Sequence, residues 1–187
     1  MEFFDIRNPD GTITGEIKER SLVHRDGDLH GTVHIFILRR REGVLELLLQ
    51  KRTMDKDAFP GCYDVSAAGH ISAGQDYPEA AARELEEELG LHAEEEDLHF
   101  IGYIEGYDEE IFHGKPFRNH ELIGVYLYLK EVRTEDLILQ EEEVDEVRWM
   151  PFSLCLEKAE QKAEGYCLFP EEFAMVIPFV SGEQRLI

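Results

Sequence analysis

The hydrophobic positions of this chain fall in short runs, each closed by turn-forming residues. Thr32–Arg39 and Glu46–Arg52 are apolar runs joined across Arg41, Glu42 and Gly43, which predicts two strands and a hairpin. Ahead of them, Met1–Gly15 predicts a strand and a turn, punctuated by Asn8, Pro9, Asp10 and Gly11. Pro60 and Gly61 break the chain before a short strand over Tyr63–Ala68. Leu98–Ile104, Glu121–Leu129 and Val144–Met150 predict further strands. Helical spacing covers Phe152–Glu164 and a shorter stretch, Pro170–Val180. Strands interrupted by two or three helices imply an α/β layered domain.

One more helix is announced by its ends. Asp76 can cap it, with Glu79 three residues on completing a capping box, Pro78 in the first turn and Gly90 at the left-handed position that closes it. Ala80, Ala81 and Ala82 are small enough for close packing. Glu84, Glu87 and Glu88 share one face of this helix, because residues three and four apart are neighbours. Arg83 stands four before Glu87 and gives the cluster an internal cation. Like charges gathered this closely need something positive between them. A hard divalent cation such as Mg²⁺ suits oxygen ligands and keeps waters that a phosphate can displace.

Composition narrows the partners. The chain has 187 residues, 43% of them hydrophobic and 32% charged, which fits one globular domain over 1–187. No apolar run reaches the roughly 18 to 20 residues of a membrane span, and the first residues lack a signal-peptide layout, so the cytoplasm is the expected location. Nineteen basic against 41 acidic residues leave a net charge of −22, which repels nucleic-acid backbones and acidic membranes. A small phosphorylated substrate must then be received through local cations and bound metal. Cys62, Cys155 and Cys167 show no metal-ligand spacing and are expected as buried or free thiols.

The carboxylate helix and the loop before it resemble the Nudix box, G-x5-E-x7-R-E-U-x-E-E-x-G-U with U aliphatic. Gly69, Arg83, Glu84, Leu85, Glu87, Glu88, Gly90 and Leu91 match, while Gln75 occupies the slot of the first glutamate. The resemblance implies the Nudix fold, an α/β/α sandwich with a mixed β-sheet. It also implies a Mg²⁺- or Mn²⁺-dependent hydrolase in which Glu84, Glu87 and Glu88 hold metal with the carbonyl of Ala68, and Arg83 orients them. Glu84 and Glu121 are the candidates for general base.

Flanking segments resemble isopentenyl-diphosphate isomerase, a Nudix-fold enzyme, and its hydrolase-like relatives. These are Gln50 to Gly61 followed by Gly69 and His70, His24 to His30 ahead of an apolar strand, and Asn119 to Glu121 opening another. The resemblance places Arg52 and Lys56 at diphosphate-contacting positions, and His24, His30, His70 and Glu121 at four ligands of a second, transition-metal site. Its fifth ligand, a glutamate, falls on Asn119, and the isomerase's catalytic cysteine falls on Ala68. An alanine transfers no proton, so the leading expectation is hydrolysis of a diphosphate linked to an organic group. An isomerase and a non-catalytic nucleotide-sensing module remain alternatives. The acidic run Asp108, Glu109 and Glu110 is expected to shape the substrate pocket.

Overall fold

The computed structural model describes residues 1–56, 58–112 and 114–181. Its elements run β1 (Phe3–Arg7), β2 (Ile13–Glu19), α1 (Arg20–Asp26), β3 (His30–Arg41), β4 (Val44–Arg52), β5 (Tyr63–Asp64), β6 (Ala67–His70), α2 (Tyr77–Leu89), β7 (Leu98–Phe112), β8 (Lys115–Tyr128), β9 (Val144–Pro151), α3 (Phe152–Glu160) and α4 (Pro170–Val180). Strands β5-β4-β3-β8-β7 form the spine of a seven-stranded sheet, with β6 on β3 and β9 on β4. Among the described strands β3 and β8 pair in parallel and the other pairs are antiparallel, so the sheet is mixed. Strands β1 and β2 form a separate antiparallel hairpin.

Alternation along β3 divides the core. Val33, Ile35 and Ile37 face α2, where Ala80, Ala81, Leu85 and Leu89 pack against them. Phe36 and Leu38 face the other way, onto Phe152, Cys155, Phe173 and Val176 of α3 and α4. Helices therefore cover both faces, giving the expected α/β/α layers. Phe173 is fully buried, a burial that stabilises by about 1.5–3 kcal/mol. Helix α2 carries both expected caps: Asp76 accepts from the Glu79 N–H at 3.0 Å, and Gly90 closes the helix at φ 68°.

Four expectations change at their edges. The turn at Gly11 leads into β2, an extra strand, and then into α1, a short helix absent from the sequence reading. Strand β3 opens at His30 rather than Thr32, because His30 pairs with Glu121 in the parallel ladder. Tyr63–Ala68 is two strands: β5 pairs with β4, then the chain crosses so that β6 pairs with β3. Strands β7 and β8 run past Ile104 and begin before Glu121, forming a long antiparallel arm. The acidic Asp108, Glu109 and Glu110 lie on that arm opposite Asn119, Arg118 and Phe117, and none of the three lines the cleft. Ladder pairing, with Glu109 bound to Arg118 at 3.0 Å, holds them in a strand rather than a pocket loop. Asp57, within the Gln50–Gly61 segment, lies outside the described residues.

Candidate active site

Helix α2 lies on one face of the sheet, yet its carboxylates reach a cleft that opens beside β6. Gly69 makes this possible: a Cβ there would sit 2.1 Å from the Glu84 carboxyl group. Glu84 and Glu88 are buried, at 7% and 2% exposure, whereas Glu87 stands at the rim. Glu88 Oε2 accepts from the backbone N–H of Ala68 and from Gln50 Nε2, both at 3.0 Å. Arg83 ties the group together, meeting Glu84 and Glu87 at 2.7 Å each and the His70 carbonyl at 2.8 Å. Its Nε donates to Gln75 Oε1 at 3.3 Å, so Gln75 braces the arginine and lies outside the cleft wall.

Burial pushes Glu84 up to about 7, against the pull of Arg83. Burial, then repulsion from Glu84, pushes Glu88 up to about 8. Two carboxyls forced toward protonation a turn apart, and a glycine that clears space for one of them, fit a divalent cation.

Across the cleft stand the cations. Arg52, on β4, donates to Asp64 Oδ2 at 3.1 Å and to the Ala58 carbonyl at 3.0 Å. Lys56 is ion-paired with Glu143. Arg20, which the sequence reading missed, reaches the same cleft from α1 while bound to Glu2 at 2.8 Å. Its signal was its place four residues before His24, on one helix face.

His24, His30 and His70 come from α1, β3 and β6, yet their ligating nitrogens all lie within 4.8 Å of one another. His24 and His30 direct Nδ1 to the carbonyls of Arg20 and Asp28, each at 3.0 Å. All three Nε2 atoms are buried without a hydrogen-bond partner among the described residues, as is Asn119 Oδ1. Glu121 stands beside His70, its Oε1 3.7 Å from His70 Nε2, but it is not among the three residues whose ligating atoms converge. Phe4 stacks on His30 and His70 at 5.2 and 4.7 Å, and Phe117 on His24 at 4.3 Å. Burial drives His24 down to about 4 and His30 to about 3, and His70 well below its usual value. Burial raises Glu121. Neutral imidazoles with unpaired Nε2 atoms, two of them steered by carbonyls behind them, fit a transition metal.

A buried pair was also missed. His34 Nδ1 meets Glu172 Oε1 of α4 at 2.6 Å. Burial opposes charge on His34, but Glu172, then Asp64 and Glu121, lift it to about 9. The signal was parity: His30, Thr32 and His34 occupy alternate positions of β3 and so share a face. Cys155 and Cys167 are buried free thiols and Cys62 is half-buried.

A mixed sheet between helices, a carboxylate helix reaching past a glycine strand, and basic side chains across the cleft together define the Nudix class. The NUDIX domain family matches residues 28–169, and the chain belongs to that family. It is 42% identical over 153 residues to Nudix hydrolase 3 of Arabidopsis thaliana, covering 81% of this chain and 19% of that protein. An uncharacterized Nudix hydrolase of Clostridium acetobutylicum is 38% identical over 143 residues, 76% of this chain and 66% of that one. The chain thus spans about a fifth of the first relative and just under two thirds of the second. A crystal structure from Deinococcus radiodurans shares the fold with a TM-score of 0.67 at 19% identity, over 93% of this chain and 97% of that one. No helix among the described residues is long and apolar enough to cross a membrane.

Proposed function

We propose that the protein is a divalent-metal-dependent hydrolase of small organic diphosphates, working in the cytoplasm with Mg²⁺ or Mn²⁺. One observation carries the reading: Glu84, Glu87 and Glu88 share a single cleft with Arg52, Lys56 and Arg83. Carboxylates for metal and cations for phosphate therefore line the same space. Glu84, Glu87 and Glu88, with the Ala68 carbonyl, are the residues that would hold the metal. When bound, a divalent metal there offsets diphosphate charge and makes water a better nucleophile. Arg52 and Lys56 bind phosphate oxygens, exchanging Asp64 and Glu143 as partners. Arg83 holds the glutamates at fixed spacing. Glu84 and Glu121 are the two carboxylates placed to take a proton from the attacking water. His24, His30 and His70, with Glu121, would hold a second metal of Zn²⁺ or Mn²⁺ type, anchoring α1 and the β1–β2 hairpin over the cleft.

The test is a panel of nucleoside, sugar and prenyl diphosphates with Mg²⁺ or Mn²⁺, followed by phosphate release and product mass. Metal-dependent hydrolysis of a member supports the reading, and the variant, Glu84→Gln or Glu121→Gln, that loses the acidic limb of the kcat–pH profile at saturating metal assigns the base. Equal rates in excess chelator would sink it.

A further inference from the structure

The histidine group and the glutamate helix leave one buried polar pair of this cleft unexplained. His34 and Glu172 are 8% and 0% exposed, and they meet at 2.6 Å beneath the first turn of α4. The face of the sheet beyond them is apolar: Phe36 and Val125 pack there on Phe173 and Val176. An ion pair in such a setting gives little net stability over a well-packed apolar pair, so packing alone does not account for it. His34 also lines the cleft. With Nδ1 given to Glu172, its other nitrogen, Nε2, is what it can offer a ligand.

A second atom points the same way. Thr32 is 2% exposed, lines the cleft, and its hydroxyl has no hydrogen-bond partner among the described residues. Alternate residues of a strand lie roughly 7 Å apart on one face. Thr32 and His34 therefore extend a polar floor from the histidine group at His30 toward α4. Carboxylates already surround this floor, from Glu121 on β8 and Asp64 on β5, so a further acidic ligand needs a donor there.

The geometry points to His34 as a substrate-contacting residue, held by Glu172 and donating from Nε2 to a phosphoryl oxygen distal to the glutamate helix, with the Thr32 hydroxyl beside it. Glu172 is then a positioning residue: a buried carboxylate keeps the imidazole charged and its ring fixed, because leaving that carboxylate unpaired would be costly. This rests on the diphosphate reading of the cleft, and it adds a contact that the glutamate box does not contain.

The experiment uses methylenediphosphonate with Mg²⁺ as a non-hydrolysable probe. Calorimetry gives its Kd for the wild type, His34→Gln, Glu172→Gln and Thr32→Val, and steady-state kinetics gives KM and kcat on any hydrolysed diphosphate. His34→Gln is expected to weaken the probe about tenfold and to raise KM more than it lowers kcat. Glu172→Gln and Thr32→Val should each weaken it about threefold. In the wild type, the ¹⁵N resonance of His34 Nε2 should shift on adding the probe, which needs no variant to fold. An unmoved resonance, a wild type that binds no probe, or unchanged probe affinity in a folded His34→Gln overturns the assignment. Probe binding that moves His34 in a protein that hydrolyses no diphosphate would uphold it while removing the hydrolase reading.

Discussion

Replacing Glu88 by glutamine separates the cost of the metal site from its use. Glu88 is nearly fully buried, and burial with repulsion from Glu84 lifts it to about 8 from an ordinary 4.5. That rise reflects the strain of carrying a charge there, at most several kcal/mol for a buried carboxylate. Local relaxation and water entry reduce this, and about 2 kcal/mol is the working figure. The glutamine keeps an acceptor for Gln50 and the Ala68 N–H while removing the charge. A folded-state pKa raised above its unfolded value makes the carboxylate a destabilising group. Its penalty is complete above pH 8 and vanishes as pH falls through 4.5. In EDTA at pH 8.5, Glu88→Gln should therefore melt higher than wild type by about 4–8 °C, and at pH 4 the two should coincide. Saturating Mg²⁺ should reverse the order, since wild type alone gains about 2.7 kcal/mol at a hundredfold excess over Kd. Differential scanning fluorimetry across pH, with and without Mg²⁺, reads all three. A Glu88→Gln protein that melts at or below wild type in EDTA at pH 8.5 would refute the reasoning.

Four further outcomes are expected. Gly69→Ala drives a methyl into the space of the Glu84 carboxyl, and diphosphate hydrolysis should fall at least about tenfold, measured as kcat/KM under saturating Mg²⁺. His30 is held neutral by burial, with its folded pKa depressed to about 3. Its stabilising contribution is present above pH 6.5 and is lost as pH falls from 6.5 toward 3, so the stability gap between wild type and His30→Gln should shrink over that window in urea melts. The same variant should abolish the visible absorption of bound Co²⁺. Finally, neither isopentenyl nor dimethylallyl diphosphate should take up deuterium from heavy water, because Ala68 stands where a proton-transferring thiol is needed; uptake read by mass spectrometry would contradict that.

Local chemistry alone determined the parts of this protein that stay close in sequence. The capping box at Asp76 and Glu79, the left-handed Gly90 and the spacing of Glu84, Glu87 and Glu88 lie within fifteen residues, so helical geometry placed them without reference to the rest of the chain. Apolar runs closed by turn residues likewise located most strands, and strands broken by helices pointed to the layered architecture. Only the tertiary structure decided what crosses those distances. It set Arg20 into the cleft, gathered His24, His30 and His70 from three elements beneath Phe4, and laid α4 so that Glu172 meets His34 across 138 residues. It also drew Asp108, Glu109 and Glu110 into a strand ladder, away from the cleft. The reason is physical: a helix cap or a turn is settled by neighbours along the chain, whereas burial, the orphaned Nε2 atoms and the raised glutamate pKa values exist only once the sheet register has brought distant segments together.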